Sequence, residues 1–126
     1  RRMTPLELLA IAGAGGLGAV VRFLTGALAR ERPVRATIAV NLVASLLAGI
    51  LTSLLVLDDA WRALLVTGFC GGLSTYSAFA VQAVEQLEDR RSGQALATVA
   101  VTVVGGAIAA SAGLLVGAML APATAA

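Results

Sequence analysis

The sequence predicts an all-α membrane protein of four transmembrane helices, the third broken near mid-membrane. Three observations lead there. Hydrophobic residues make up 59% of the 126 positions and charged residues 13%, against about 45–50% and about 25% in soluble domains. Four stretches reach the roughly 20 mainly apolar residues that a membrane-crossing helix needs. Within the third, glycines, hydroxyls and two aromatics interrupt the aliphatic run at Gly68-Phe69-Cys70-Gly71-Gly72-Leu73-Ser74-Thr75-Tyr76-Ser77-Ala78-Phe79-Ala80. With a mean hydropathy of +0.93, so short a chain cannot hide its apolar surface in a water-soluble core, but a bilayer can.

The spans follow in order. Leu6–Ala29 is too long for a secretory signal and lacks a convincing cleavage site, so it reads as a permanent span. Pro33, within the polar stretch Arg30–Arg35, stops the first helix from running into the second. The second span covers Ala36–Leu57, and Leu57-Asp58-Asp59-Ala60 turns the chain back. Trp61 suits an interfacial anchor at the start of the third span, Trp61–Val84. Glu85–Gln94 forms a mixed-charge, solvated connection to the fourth span, Ala95–Leu120, and Ala121–Ala126 reads as a frayed tail. The whole of 1–126 is thus expected to form one four-span unit.

Small residues crowd the first and fourth spans, at Gly13, Gly15, Gly16, Gly18, Gly105, Gly106, Gly113 and Gly117. Gly113 and Gly117 have the spacing that lets helix backbones approach closely, which suits either packing within the chain or a subunit interface. Four thin helices cannot readily enclose a polar path alone, so a dimer is expected.

Several function classes recede. With no His and one Cys, metal clusters, disulfide frameworks and His-based catalysis have no ligand or base set. No acid–base pair or nucleophile with an orienting base is evident, so an enzyme is not expected. The net charge of +2 comes from Arg alone, and the arginines flank apolar segments rather than forming a nucleic-acid stripe. Arg30, Arg32, Arg35, Arg90 and Arg91 outnumber Arg1, Arg2 and Arg62 on the other side, which places the first and third loops inside.

Polar residues within spans need a reason. Arg22 costs roughly 2.5–3.5 kcal/mol at a helix centre; it either snorkels to the interface, ties a helix end, or serves as a vestibule cation that concentrates anions. Asn41 offers donors and an acceptor, so it can hold a backbone group, glue helices or donate to an anion. Thr37, Asn41 and Ser45 share one face by their spacing, a stripe that suits a polar path. Thr98 and Thr102 make a weaker pair, because Thr can satisfy itself on the preceding turn. Glu7 sits at the membrane edge and Cys70 reads as a small packing residue.

The break carries the most chemistry. Gly71 and Gly72 permit backbone conformations that other residues avoid. If the helix opens there, carbonyls from Gly71 through Ser74 become ligands for a hard cation such as Na⁺. Tyr76 and Phe79 are three apart and project from one face of the resumed helix; they either pack in the core or present electropositive ring edges to a dehydrated anion. Thr75 and Ser77 add hydroxyl donors.

At these residues the chain resembles the Fluc (CrcB) fluoride channels. Gly68 to Phe79 is similar to that family's G-F-x-G-G-x-T-T-F-S-T-F signature, and Gly18-Ala19-Val20-Val21-Arg22-Phe23 and the surroundings of Asn41 look like its first two spans. The resemblance implies a multi-pass protein of the inner (plasma) membrane that passively exports fluoride, built as an antiparallel dimer with Na⁺ at its centre. Carried over, the Na⁺ carbonyls are those of Gly71 and Ser74, Tyr76 and Phe79 line the fluoride path, Asn41 is a fluoride ligand, and Thr75 and Ser77 line or brace the route. The chain departs from the family pattern at Ser74, Tyr76, Ala78 and Gln82, where Thr, Phe, a hydroxyl residue and Glu are usual. Those departures leave both a homodimer and a non-autonomous subunit of a heterodimer open.

Two other classes compete. A four-span proton-coupled multidrug exporter needs a carboxylate at depth, and the one acid in the first span is Glu7, near its end. A structural membrane subunit without flux would tolerate changes at the glycine break.

Overall fold

A computed structural model of the chain describes residues 3–56 and 58–121. Arg1 and Arg2, Leu57 at the expected end of the second span, and the tail at 122–126 lie outside them. Helix α1 spans Pro5–Leu28. Thr4 and Glu7 cap it reciprocally: Glu7 N–H donates to Thr4 Oγ1 at 3.2 Å and Thr4 N–H donates to Glu7 Oε2 at 2.7 Å. This box satisfies two of the N–H groups that a helix start leaves bare. Helix α2, Pro33–Leu54, starts three residues before the apolar run, at the proline itself. Proline's missing N–H is no loss in a first turn, so the residue that ends one helix opens the next.

The third span is composite. A single turn, α3 at Asp59–Arg62, is capped by Asp58, whose Oδ1 accepts from Trp61 N–H at 3.1 Å. The chain then widens into a π-helical stretch, Ala63–Cys70, and tightens again into α4, Gly71–Leu73. After two extended residues it resumes as α5, Tyr76–Glu88, and α6 covers Ser92–Leu120. Four candidate spans result among the described residues, at Pro5–Leu28, Pro33–Leu54, Asp59–Glu88 and Ser92–Leu120.

The third connection is much shorter than its polar sequence suggests. Helix α5 continues through Glu85–Glu88 and α6 starts at Ser92, because charged residues continue a helix readily once it leaves the apolar zone. The turn closes as a Schellman motif, with Arg91 N–H on the Gln86 carbonyl at 2.8 Å and Arg90 N–H on Leu87 at 3.0 Å. Arg90 pays for this with φ of 58°, a region that disfavours a Cβ. Arg90→Gly should therefore raise stability by about 0.5–1 kcal/mol, seen as a higher thermal unfolding midpoint; a lower midpoint would contradict the strain.

Glycines set the helix spacing. Helix α2 lies along α6, and a Cβ at Gly49, Gly113 or Gly117 would run into backbone of the facing helix, at Ala110, Leu46 and Ile50 respectively. Gly113 and Gly117 are thus spent on packing within the chain. Helix α1 packs on the π-helical stretch and α4 in the same way: a Cβ on Gly18 would overlap the Phe69 carbonyl and one on Gly72 the Gly15 carbonyl, while one on Gly68 would lie 2.8 Å from the Ile11 carbonyl oxygen. The buried core is small, Val40, Ala44 and Leu73 with Phe69 against them. Leu6, Phe23, Leu28, Ile108 and Met119 are among many large apolar residues left exposed, as lipid-facing helices require.

Candidate functional site at the helix break

The break falls later than the glycines suggest. Gly71 is helical at φ −63°, ψ −39°, and no described glycine has positive φ. Ser74 (φ −73°, ψ 157°) and Thr75 (φ −146°, ψ 123°) are the extended residues instead. The last helical bond runs from Ser74 N–H to the Cys70 carbonyl at 3.0 Å. Gly72 serves close approach to α1 rather than an unusual backbone conformation.

What opens the helix is Asn41, reaching over from α2. Its Oδ1 accepts from Thr75 N–H at 2.7 Å and its Nδ2 donates to the Thr75 carbonyl at 3.0 Å. The side-chain amide thus pairs with one residue's backbone at both ends, doing for Thr75 what a neighbouring strand would do. Asn41 is 9% exposed, so these are bonds in a place where an unpaired group costs about 1–3 kcal/mol. One amide hydrogen of Asn41 is left over.

The clamp and the Thr75 cap together leave the Gly71 and Ser74 carbonyls without their helical donors. Thr75 N–H, the α-helical partner of the Gly71 carbonyl, belongs to Asn41, and Gly71 retains a long contact from Ser74 Oγ at 3.4 Å. Ala78 N–H, which would serve the Ser74 carbonyl, donates to Thr75 Oγ1 at 3.3 Å, capping α5. Gly71 and Ser74 are both exposed on the chain surface. Arg22 takes the next carbonyl: its Nε donates to Gly72 O at 3.3 Å. A guanidinium at the C-terminal, electronegative end of the half-helix is favourably placed. Of the readings open for Arg22, the tie to a helix end is the one with a bond behind it.

Arg22 also lines a cleft of about 480 Å³ together with Arg30, Thr37, Val40, Thr75 and Ala78. Two arginines line it together with Thr75 and Ala78 at the start of α5, and its described lining contains no carboxylate. Such a concavity concentrates anions.

The expected polar stripe on α2 divides between partners. Thr37 Oγ1 donates to the Pro33 carbonyl at 3.1 Å and accepts from Gln82 Nε2 at 3.0 Å. Asn41 holds the break, and Ser45 faces Gly106 of α6. The two aromatics separate as well. Their rings meet edge to face at 5.8 Å and 62°, yet Tyr76 is 81% exposed and Phe79 8%. Ser77 is exposed, its Oγ 3.3 Å from Thr75 Oγ1. Thr98, a weak candidate by sequence, donates to Gln86 Oε1 at 2.9 Å in a buried pair. The glutamines at 82 and 86 recur every turn on one face of α5, a signal that the hydropathy pattern submerges.

Comparison with known proteins decides the family. The model of the family described as CrcB-like protein, Camphor Resistance (CrcB), matches residues 9–114. The chain belongs to the CrcB family. Its relatives include Fluoride-specific ion channel FluC 1 of Leifsonia xyli, 44% identical over 103 residues, 76% of this chain and 75% of the relative. FluC 2 of Rhodococcus jostii is 42% identical over 108 residues, covering 83% and 93% of the two chains, and FluC of Serratia proteamaculans 37%, covering 79% and 84%. The CrcB match includes most of α1, all of α2 to α5 and most of α6, so the Asn41 clamp, the break and the Arg22 tie all lie inside it.

Proposed function

We propose that this CrcB chain is a passive, fluoride-selective channel of the plasma membrane that works as an antiparallel dimer. The fluoride-specific names of its relatives support the ion. The observation that supports the mechanism is the clamped break: extended backbone, carbonyls of Gly71 and Ser74 without helical donors, and exposed Ser74 followed by exposed Tyr76 and Ser77 at the start of α5. Hydrocarbon does not tolerate such a surface, whereas burial in protein or a water-lined path does. A second copy of the chain covering it supplies both.

Fluoride gives up hydration to cross, and the residues here replace water with weak donors. Anions gather in the Arg22–Arg30 cleft, pass the N-terminus of α5 with the Thr75 and Ser77 hydroxyls and the spare Asn41 amide hydrogen, and meet the electropositive edges of Tyr76 and Phe79. No strong fixed charge lies along the last part, so the ion is attracted without being trapped.

The carbonyls of Gly71 and Ser74 fit a hard alkali cation: both are oxygen donors without helical partners, and both lie on the exposed side of the break. One chain offers too few ligands, and two copies meeting there would double them. Bound Na⁺ would supply positive charge at the dimer centre and hold the half-helices together. The exporter reading fares worse, since Glu7 is engaged in the capping box at the first turn of α1 rather than sitting at depth.

Expression in cells that lack fluoride export should restore growth on fluoride-containing medium. Restoration that requires co-expression of a paralogue would replace the homodimer by a heterodimer, and failure in both settings would remove the channel reading.

A further inference from the structure

Helix α1 and the third span meet closely in the middle and part nearer their starts. They are in backbone contact where a Cβ on Gly72 would strike the Gly15 carbonyl and one on Gly68 would crowd the Ile11 carbonyl. Toward Met3 and Asp59 that contact gives way to a cleft of about 290 Å³. It shares no lining residue with the arginine cleft.

The lining changes character with depth. Glu7 and Asp59 line it from the first turns of α1 and α3. About one turn further in, Ala10, Ile11 and Leu64 supply apolar walls. Trp61, 55% exposed, stands beside the two carboxylates and marks the headgroup level of a bilayer. Charge at this end is lopsided. Among the described residues it carries Glu7, Asp58 and Asp59 against Arg62 alone, and Arg62 pairs with Asp59 at 2.5 Å. An acidic mouth over an apolar floor fits an amphiphile whose polar end is cationic. An anionic headgroup would meet repulsion there, and a soluble cation would leave the apolar floor uncovered.

We infer that this cleft binds a phospholipid with a primary-amine headgroup, phosphatidylethanolamine in chemistry. Its ammonium donates charge-assisted hydrogen bonds to the Glu7 and Asp59 carboxylates, and the start of an acyl chain covers Ala10, Ile11 and Leu64. A quaternary ammonium carries the same charge but has no N–H, so the carboxylates favour the primary amine. The volume lies near the low end of the roughly 300–1,000 Å³ typical of small-molecule sites, which suits a headgroup and the first chain carbons rather than a whole lipid. The inference does not depend on which ion the protein carries.

Trp61 is the one tryptophan of the chain, so its fluorescence reports on this cleft. The intact chain is reconstituted in phosphatidylcholine vesicles, with a fixed fraction of the lipid replaced by one brominated at the same acyl carbons and carrying an ethanolamine, choline or glycerol headgroup. Quenching should give the ethanolamine lipid an association about threefold tighter than the other two, the size that exposed charge pairing supplies. Glu7→Gln leaves the helix cap closed, since Gln also completes a capping box, and should reduce the preference. Asp59→Asn should reduce it as well, and the two together should abolish it. Equal quenching by all three lipids, a preference for choline or glycerol, or an ethanolamine preference that survives both substitutions would overturn the inference. The wild-type headgroup comparison decides without any variant having to fold.

Discussion

Asn41→Leu should abolish fluoride efflux from reconstituted vesicles and lower the thermal midpoint of the folded protein. The side chain keeps its volume but loses both bonds to Thr75, so the N–H and the carbonyl of half-buried Thr75 are orphaned. At about 1–3 kcal/mol for each orphan, the loss is about 2–6 kcal/mol, a large share of a typical folding free energy of about 5–15 kcal/mol. To recover those bonds the chain would let Thr75 N–H return to Gly71, which closes the break. Flux per folded protein should then fall by at least about 100-fold, the equivalent of about 2.7 kcal/mol on the barrier. Wild-type flux from Asn41→Leu would show that the break holds without its clamp.

The second large effect lies on the other side of the broken helix. In Gly72→Ala the new methyl group would overlap the Gly15 carbonyl, a backbone atom that cannot rotate away. Overpacking of this kind costs about 1–3 kcal/mol or more, and the strain falls on α4, where the Gly72 carbonyl carries the Arg22 tie. The variant should unfold at a markedly lower temperature and elute poorly from size-exclusion chromatography. Gly93→Ala is the control: a Cβ there meets nothing within 4 Å, and its position in the first turn of α6 favours alanine. Equal behaviour of the two variants would contradict the packing account.

The sequence carries the architecture openly because the bilayer dictates it. Apolar runs of the right length locate four spans, and the glycine and hydroxyl cluster locates the interruption in the third. The details that fail to show are those set by distant partners. Local chemistry makes Gly71 and Gly72 the natural hinge, yet they are helical, and the chain opens at Ser74 and Thr75 because an amide 34 positions away competes for Thr75 N–H. No window around the break contains that information. The π-helical stretch at Ala63–Cys70 is equally silent, since its residues, Ala-Leu-Leu-Val-Thr-Gly-Phe-Cys, suit a regular helix. Helix ends are misread for a simpler reason: apolar runs mark the membrane, not the helix, so α5 and α6 extend into the polar loop.

The structure brings several of the candidate residues together. Asn41, Thr75, Arg22 and the break lie together; Asn41 reaches backbone, and Tyr76 and Phe79 share an edge-to-face contact but differ in burial. Gly113 and Gly117, ambiguous between two kinds of interface, belong to the α2–α6 contact.

Purified chain, reconstituted alone into liposomes loaded with potassium fluoride and potassium chloride, tests the central claim most directly. Once valinomycin lets potassium follow, fluoride should leave without an imposed proton gradient while chloride stays inside. Fluoride retained by well-folded protein, or chloride lost alongside it, would contradict a fluoride-selective channel built from this chain.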